Sequence, residues 1–220
     1  MEITKITSSL ASENPQDRLR GITALREYDA SIAAPLLLSQ VEDSETIVRS
    51  FAAMGLGHKR SEDGFNSLVQ LLRDDADANV RSEAAGALAK YGKSAVPYLV
   101  EQFEMDQHWL LQMSILLAMP DLDSPAEFLQ MIRRSRDLSE QTVQNTALEQ
   151  LPRLADTSVA QEVLELLVEL SQSEDWQERR AAALGLRAFS GDRVQPILQA
   201  LRTDQDHRVV AATLEGTLSR

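Results

Sequence analysis

Apolar positions along this chain recur at the spacing of one helix face. The stretch from Asp74 to Tyr91 shows it best: Val80, Ala84, Ala87, Leu88 and Tyr91 follow one another at steps of 4, 3, 1 and 3, a single stripe on a 3.6-residue period. Asp77 stands where an N-cap belongs. The alanines keep the stripe thin, so a second helix packs close against it, and the polar turn before Asp77 lets the chain reverse. The same pattern predicts helices over 2–11, 15–28, 34–41, 46–56, 65–73, 77–91, 95–104, 107–119, 124–134, 139–152, 158–170, 175–189, 194–202 and 206–218. Asn14-Pro15-Gln16-Asp17 and Ser124-Pro125-Ala126-Glu127 both read as helix starts, with a capping side chain ahead of proline at the first helical position. Pro152 ends or kinks the helix before it.

Weaker copies of this unit run from one end to the other. A Val-Arg anchor and its variants fall at Leu19-Arg20, Val48-Arg49, Val80-Arg81, Leu111-Gln112, Val143-Gln144, Glu178-Arg179 and Val209-Val210, with steps of 29, 32, 31, 32, 35 and 31 residues. Small-residue pairs follow the anchor at Ala52-Ala53, Ala84-Ala85 and Ala182-Ala183. Two helical patterns per period of roughly 30 residues predict an all-α fold, an α-solenoid of about seven HEAT-like hairpins whose neighbours bury one continuous core. The repeat argues for a single domain over residues 1–220, with no low-complexity linker.

Composition narrows the function. Hydrophobic residues make up 43% of the chain and aromatics only 5%, as suits thin interfaces of alanine and leucine. A formal charge of −12 argues against a nucleic-acid partner, because phosphate binding relies on Lys and Arg to neutralise that backbone. An acidic surface suits a protein partner with basic patches, or serves solubility alone. The absence of cysteine removes disulfides, thiolate metal sites and a cysteine nucleophile together. Neither a signal peptide nor a membrane span is legible, and a cytoplasmic protein is expected.

Candidate chemistry is sparse. The recurrent Asp-then-Arg pattern, as in Asp43 with Arg49 and Asp77 with Arg81, reads as structural: aspartate caps a helix while arginine reaches a neighbouring carboxylate or turn, making a ladder between repeats. His58, His108 and His207 have no second ligand at helical spacing, so no metal site is expected. No catalytic residues are assigned: the serines lack a Ser-His-Asp context and no glycine-rich phosphate loop appears. What remains are aromatic and cationic clusters at corresponding places in different repeats. These give the candidate ligand or partner contacts Trp109, Trp176, Arg179, Arg180, His207 and Arg208. An aromatic beside a cation can stack on a planar ligand or anchor an interface, or the tryptophans plug gaps between repeats while the arginines are solvated. Arg133, Arg134 and Arg136 form a dense basic patch, read as a solvated face or a carboxylate contact.

Asp77-Ala-Asn-Val-Arg-Ser-Glu-Ala-Ala-Gly-Ala-Leu88 resembles HEAT-like repeats of the phycobilisome-lyase type, over about residues 15–218. Asp106-Gln-His-Trp-Leu-Leu-Gln-Met-Ser-Ile115, Asp206-His-Arg-Val-Val210 with Leu214-Glu-Gly216, and the chain length look like the small cyanobacterial proteins grouped with non-bleaching protein B. The resemblance implies work on phycobiliproteins, either attaching or detaching bilins or binding the antenna as it is dismantled. It implies no required cofactor, a phycobilin (an open-chain tetrapyrrole) as transient ligand, and a phycobiliprotein or another protein as partner. Any lyase-type activity would need a partner subunit. The alternative is a non-enzymatic interaction scaffold or assembly factor, for example in cofactor delivery, with no pigment role.

Overall fold

The computed structural model describes residues 1–214, and every regular element among them is helical. The expected extension of the last helix to Leu218, with the Glu215-Gly216 part of the resemblance, lies outside the described residues. Fourteen α-helices alternate in antiparallel pairs among the described residues, joined by short turns and four short 3₁₀ segments. They fall into two compact units, one from Met1 to Asp123 and one from Ser124 onward.

The first unit holds four hairpins: α1 (Ile3–Leu10) with α2 (Pro15–Ala24), α3 (Ala30–Leu38) with α4 (Thr46–His58), α5 (Glu62–Asp74) with α6 (Ala78–Ala89), and α7 (Val96–Met105) with α8 (Trp109–Ala118). The second members pack on one another in series, α2 on α4, α4 on α6 and α6 on α8. The alanine pairs make this close approach feasible: Ala52, Ala53, Ala84 and Ala85 are wholly buried, flanked by Val48, Leu56, Val80 and Leu88. Pro15 opens α2 behind Asn14, whose Oδ1 accepts from the Gln16 amide at 3.0 Å, and Asp77 caps α6 by accepting from Asn79 N at 2.8 Å.

The second unit holds α9 (Pro125–Ser135), α10 (Gln141–Leu148), α11 (Ala160–Leu170), α12 (Trp176–Leu186), α13 (Val194–Leu201) and α14 (His207–Leu214). Pro152 falls in a 3₁₀ turn, Leu151–Leu154, two residues past α10, because it has no N–H to continue an α-helix. Val163, Leu167, Leu170, Ala182, Ala183 and Leu186 are the completely buried centre of the α11–α12 hairpin.

Two helix starts differ from the expected ones by three residues or more. Helix α3 starts at Ala30, four residues early, and carries Pro35 inside it. Helix α5 starts at Glu62 because Ser61 caps it, its Oγ accepting from Gly64 N at 3.0 Å, whereas the apolar stripe begins only at Phe65. At α5 the cap, more than the apolar stripe, decides where the helix begins, whereas Asp29 ahead of α3 makes no side-chain capping bond.

The expected ladder is present, with one shift of register. Arg49 donates to both carboxylate oxygens of Asp75 (2.7 and 3.0 Å) and to the Asp43 carbonyl (2.8 Å). Arg81 repeats this with Asp106 (2.7 Å) and the Asp75 carbonyl (2.8 Å), and Arg179 with Asp204 (2.7 and 3.0 Å) and the Ser173 carbonyl (2.9 Å). In the first repeat the rung is Arg18 with Asp43, at 2.6 Å, while Arg20 is solvated beside Asp17. The anchor there is therefore Asp17-Arg18, two residues earlier than the sequence placed it, and the first step becomes 31, in line with the others. Leucine at 19 attracted the alignment, but the turn is held by the guanidinium.

Candidate functional site

The predicted contacts divide between the two units, Trp109 in the first and the other five in the second. In the first unit Trp109 opens α8 and is 45% exposed, with the His108 ring stacked beside it at a centroid separation of 6.2 Å. His108 is also the helix cap, its Nδ1 accepting from Leu110 N at 3.3 Å. Asp106 Oδ1 accepts from His108 N at 2.9 Å, which ties this aromatic corner to the Arg81 rung. Met105, 70% exposed, and Leu117, 55% exposed, add uncovered apolar surface on α7 and α8.

In the second unit the structure brings three of the predicted residues, Trp176, Arg179 and Arg208, into one network. Trp176 is the first residue of α12, and the guanidinium of Arg208, from α14, lies 3.3 Å from its ring centroid. That is a short cation–π contact, favoured by the negative face of the indole. Arg208 is held in place by Asp206, which accepts from its Nε at 3.0 Å and its Nη2 at 2.7 Å and caps the helix by accepting from Arg208 N at 2.9 Å. Asp206 N in turn donates to Asp204 Oδ1 at 2.8 Å, and Asp204 receives the Arg179 fork. Arg179 sits on α12, three residues after Trp176. The chain of bonds thus closes on itself: Arg179, Asp204, Asp206, Arg208, Trp176.

The electrostatics follow from that geometry. Hydrogen bonds from the Arg208 side chain and backbone hold the Asp206 carboxyl far below the usual carboxylate range. The Arg179 fork holds Asp204 below it too, against the opposing effect of burial. Arg179 is only 7% exposed and its guanidinium is fully engaged, so its part in any contact is to fix the turn that presents His207 and Arg208. Arg180 points the other way, to Glu149 at 3.0 Å, beside a narrow recess of about 50 Å³ bordered by Trp176, Asn145 and Leu148. His207 is exposed. Arg133 and Arg134 make only loose surface pairs, at 3.8 and 3.5 Å, whereas Arg136 is drawn inward to Glu169 and Glu178, both at 2.8 Å.

The sequence reading singled out Trp176 and Arg208 but not the carboxylates that clamp them. The signal was available: an acid two residues before the cap recurs as Asp43-Ser-Glu45, Asp75-Ala-Asp77, Asp106-Gln-His108 and Asp204-Gln-Asp206. Each first member accepts both a backbone N–H two residues on and an arginine from the hairpin before. Among the described residues no group of three or more His, Asp or Glu is placed to hold a metal, and no helix is long and apolar enough to cross a membrane.

A family profile described as HEAT repeats matches residues 34–120 and 126–219. Among solved structures, the chain is similar to YibA of Escherichia coli, with 20% identity, a TM-score of 0.65, and 99% of this chain and 84% of that one covered. It is also similar to a chain in the complex of CpcE and CpcF of phycocyanin lyase from a Nostoc species, with 20% identity, a TM-score of 0.57, and 97% and 94% covered. Both likenesses are of fold. No curated protein matches the sequence at a significant level.

Proposed function

The chain belongs to the HEAT-repeat family, and from that premise we propose that it is a phycobilisome-associated protein that docks a phycobiliprotein or its bilin chromophore, in antenna degradation or in bilin attachment or detachment. The reading takes residues 1–220 as one repeat domain and resembles that of the non-bleaching protein B group. The observation that carries it is the clamped Trp176–Arg208 pair with exposed His207 beside it: a flat aromatic and a fixed cation on the surface of a chain of charge −12. A stacked guanidinium and indole suit a planar conjugated partner or an aromatic anchor on a protein. Likeness in fold to a chain of the phycocyanin lyase complex supports the choice of partner. Trp109 and Arg180 are the outlying contacts of the same proposal, and a phycobilin would be a transient ligand only.

The test mixes the protein with phycocyanin and, separately, with free phycocyanobilin. The proposal expects a complex with phycocyanin on gel filtration, or a red shift and gain of bilin fluorescence, weakened by Trp176→Ala. Neither complex nor spectral change would end it.

One observation favours a second reading, a non-enzymatic interaction scaffold. The charge of Arg208 is already answered by Asp206, which leaves little positive potential for an acidic pigment and more of an aromatic protein anchor. That reading expects a protein complex with no change in the bilin spectrum.

A further inference from the structure

In the first unit the surfaces of α2 and α4 do not close over each other. Helix α2 ends at Ala24 and tightens into a 3₁₀ turn, Leu25–Glu27, while α4 stays α-helical to His58, and a recess lies between those ends. Its volume is about 450 Å³, within the range of roughly 300–1,000 Å³ typical of ligand pockets. Its floor is apolar: Ile22, Leu25 and Leu37 are buried there, Phe51 is half-buried, and Met54 is left 37% exposed. Gly55 also lines it, and a side chain at that point would strike Leu37, 2.7 Å from an added Cβ.

The rim carries the opposite of the molecule's overall charge. Arg26, His58 and Lys59 stand at its edge, and none of the ten lining residues is an aspartate or glutamate, in a chain with 34 of them. Elsewhere the ladder arginines are each matched to a carboxylate. Here Lys59 Nζ donates only to the Arg26 carbonyl, at 2.8 Å, and neither Arg26 nor Lys59 has a carboxylate partner among the described residues. One bond to a helix-end carbonyl accounts for one ammonium proton of Lys59 and leaves the rest of the cationic rim unused. A cationic edge over an apolar floor selects an anion with an apolar body: burial of the body supplies affinity, and the rim fixes which end enters last.

We propose that this recess binds one small amphipathic organic anion, an alkyl or aryl carboxylate whose tail packs on Phe51 and Met54 while its carboxylate meets Arg26 and Lys59. The site is separate from the Trp176 network and assumes nothing about phycobiliproteins, so either proposal stands if the other fails.

The experiment is calorimetric titration of the full chain with sodium decanoate, kept below its micellar range, with decanol as the neutral counterpart. One equivalent of decanoate binds, decanol binds at least tenfold more weakly, and the Arg26→Glu/Lys59→Glu variant loses roughly tenfold or more in affinity. The Arg26→Lys variant retains binding. Circular dichroism checks that the charge-reversed protein is folded; should it not be, Met54→Trp fills the recess without touching the rim and abolishes binding by itself. No heat with decanoate, equal binding of decanol, or a folded charge-reversed variant that binds as the parent does would overturn the proposal. So would concentration-dependent self-association abolished by Met54→Lys, which would assign the recess to a second copy of the chain.

Discussion

The first unit repeats one rung three times, and the second makes it once. Arg18–Asp43, Arg49–Asp75 and Arg81–Asp106 link the successive hairpins of the first, whereas among the described residues of the second only Arg179–Asp204 has that form. At the corresponding place in α10 stands Gln144, whose amide still donates to a carbonyl six residues back, that of Leu138, but brings no charge. Arg136 replaces it from the preceding turn, reaching Glu169 and Glu178 from outside the helix. Burial lowers the proton affinity of that guanidinium, and its bonds to the two glutamates more than offset this. Five of the seven anchors, Arg18, Arg49, Arg81, Gln144 and Arg179, thus keep a donor to the carbonyl six residues back, by arginine or glutamine, while the ion pair is the replaceable part.

Acid is the broadest way to break both units. Burial raises the Asp75 carboxyl, but bonds from Arg49 and the Asp77 amide outweigh it, so the folded value lies below the ordinary one, and Asp204 is lowered by Arg179. A carboxyl lowered on folding contributes stability in full above its unfolded value of about 4, and that contribution is lost as pH falls through the folded value. Thermal melts should therefore drop below about pH 4, with amides of α6 and α14 losing hydrogen-exchange protection in the same window.

Removing one rung sharpens the contrast. Arg49→Ala leaves Asp75 buried without its partner and the Asp43 carbonyl without a donor; a loss of about 2–4 kcal/mol is expected in urea melts. The Arg136→Ala variant should lose less, about 1 kcal/mol, since Glu169 is solvated. Two glycines give effects of opposite sign, one in each unit. An added Cβ at Gly185 would lie 2.4 Å from Leu167 Cδ2, so Gly185→Ala should destabilise the second unit by about 1–3 kcal/mol. At Gly86, in α6, nothing lies within 4 Å, and Gly86→Ala should stabilise the first by about 0.8 kcal/mol through helix propensity alone. Equal signs at the two sites would contradict the packing described. The smallest effect belongs to Arg208→Ala, which should alter Trp176 emission and leave the melting temperature nearly unchanged.

The fold was legible because its information is local. Period, caps and alanine pairs place the hairpins, and the Asp-Arg ladder followed from residue types alone. Register at the first rung was not legible, since Leu19-Arg20 imitates the Val-Arg anchor and only three-dimensional reach distinguishes Arg18 from Arg20. Of the candidate site, Trp176, Arg179 and Arg208 were readable as residue types, but the contact between Trp176 and Arg208 was not, since it joins two hairpins. The carboxylates that orient them were hidden by their double use, because Asp204 and Asp206 look like ordinary turn residues until the arginines of two helices arrive. The α2–α4 recess was invisible for another reason: Phe51 and Met54 sit on a correct helical stripe, and that pattern does not show that Phe51 is left half-buried and Met54 37% exposed.

One consequence of the rungs concerns length. Each arginine finds its aspartate 25 or 26 residues downstream, and that aspartate also sets the next helix start. Excising or duplicating a whole period of 31 or 32 residues therefore keeps donors and acceptors matched, whereas a cut of half that size strands a cation at one seam and a carboxylate at the other. The chain is divisible only in its own currency.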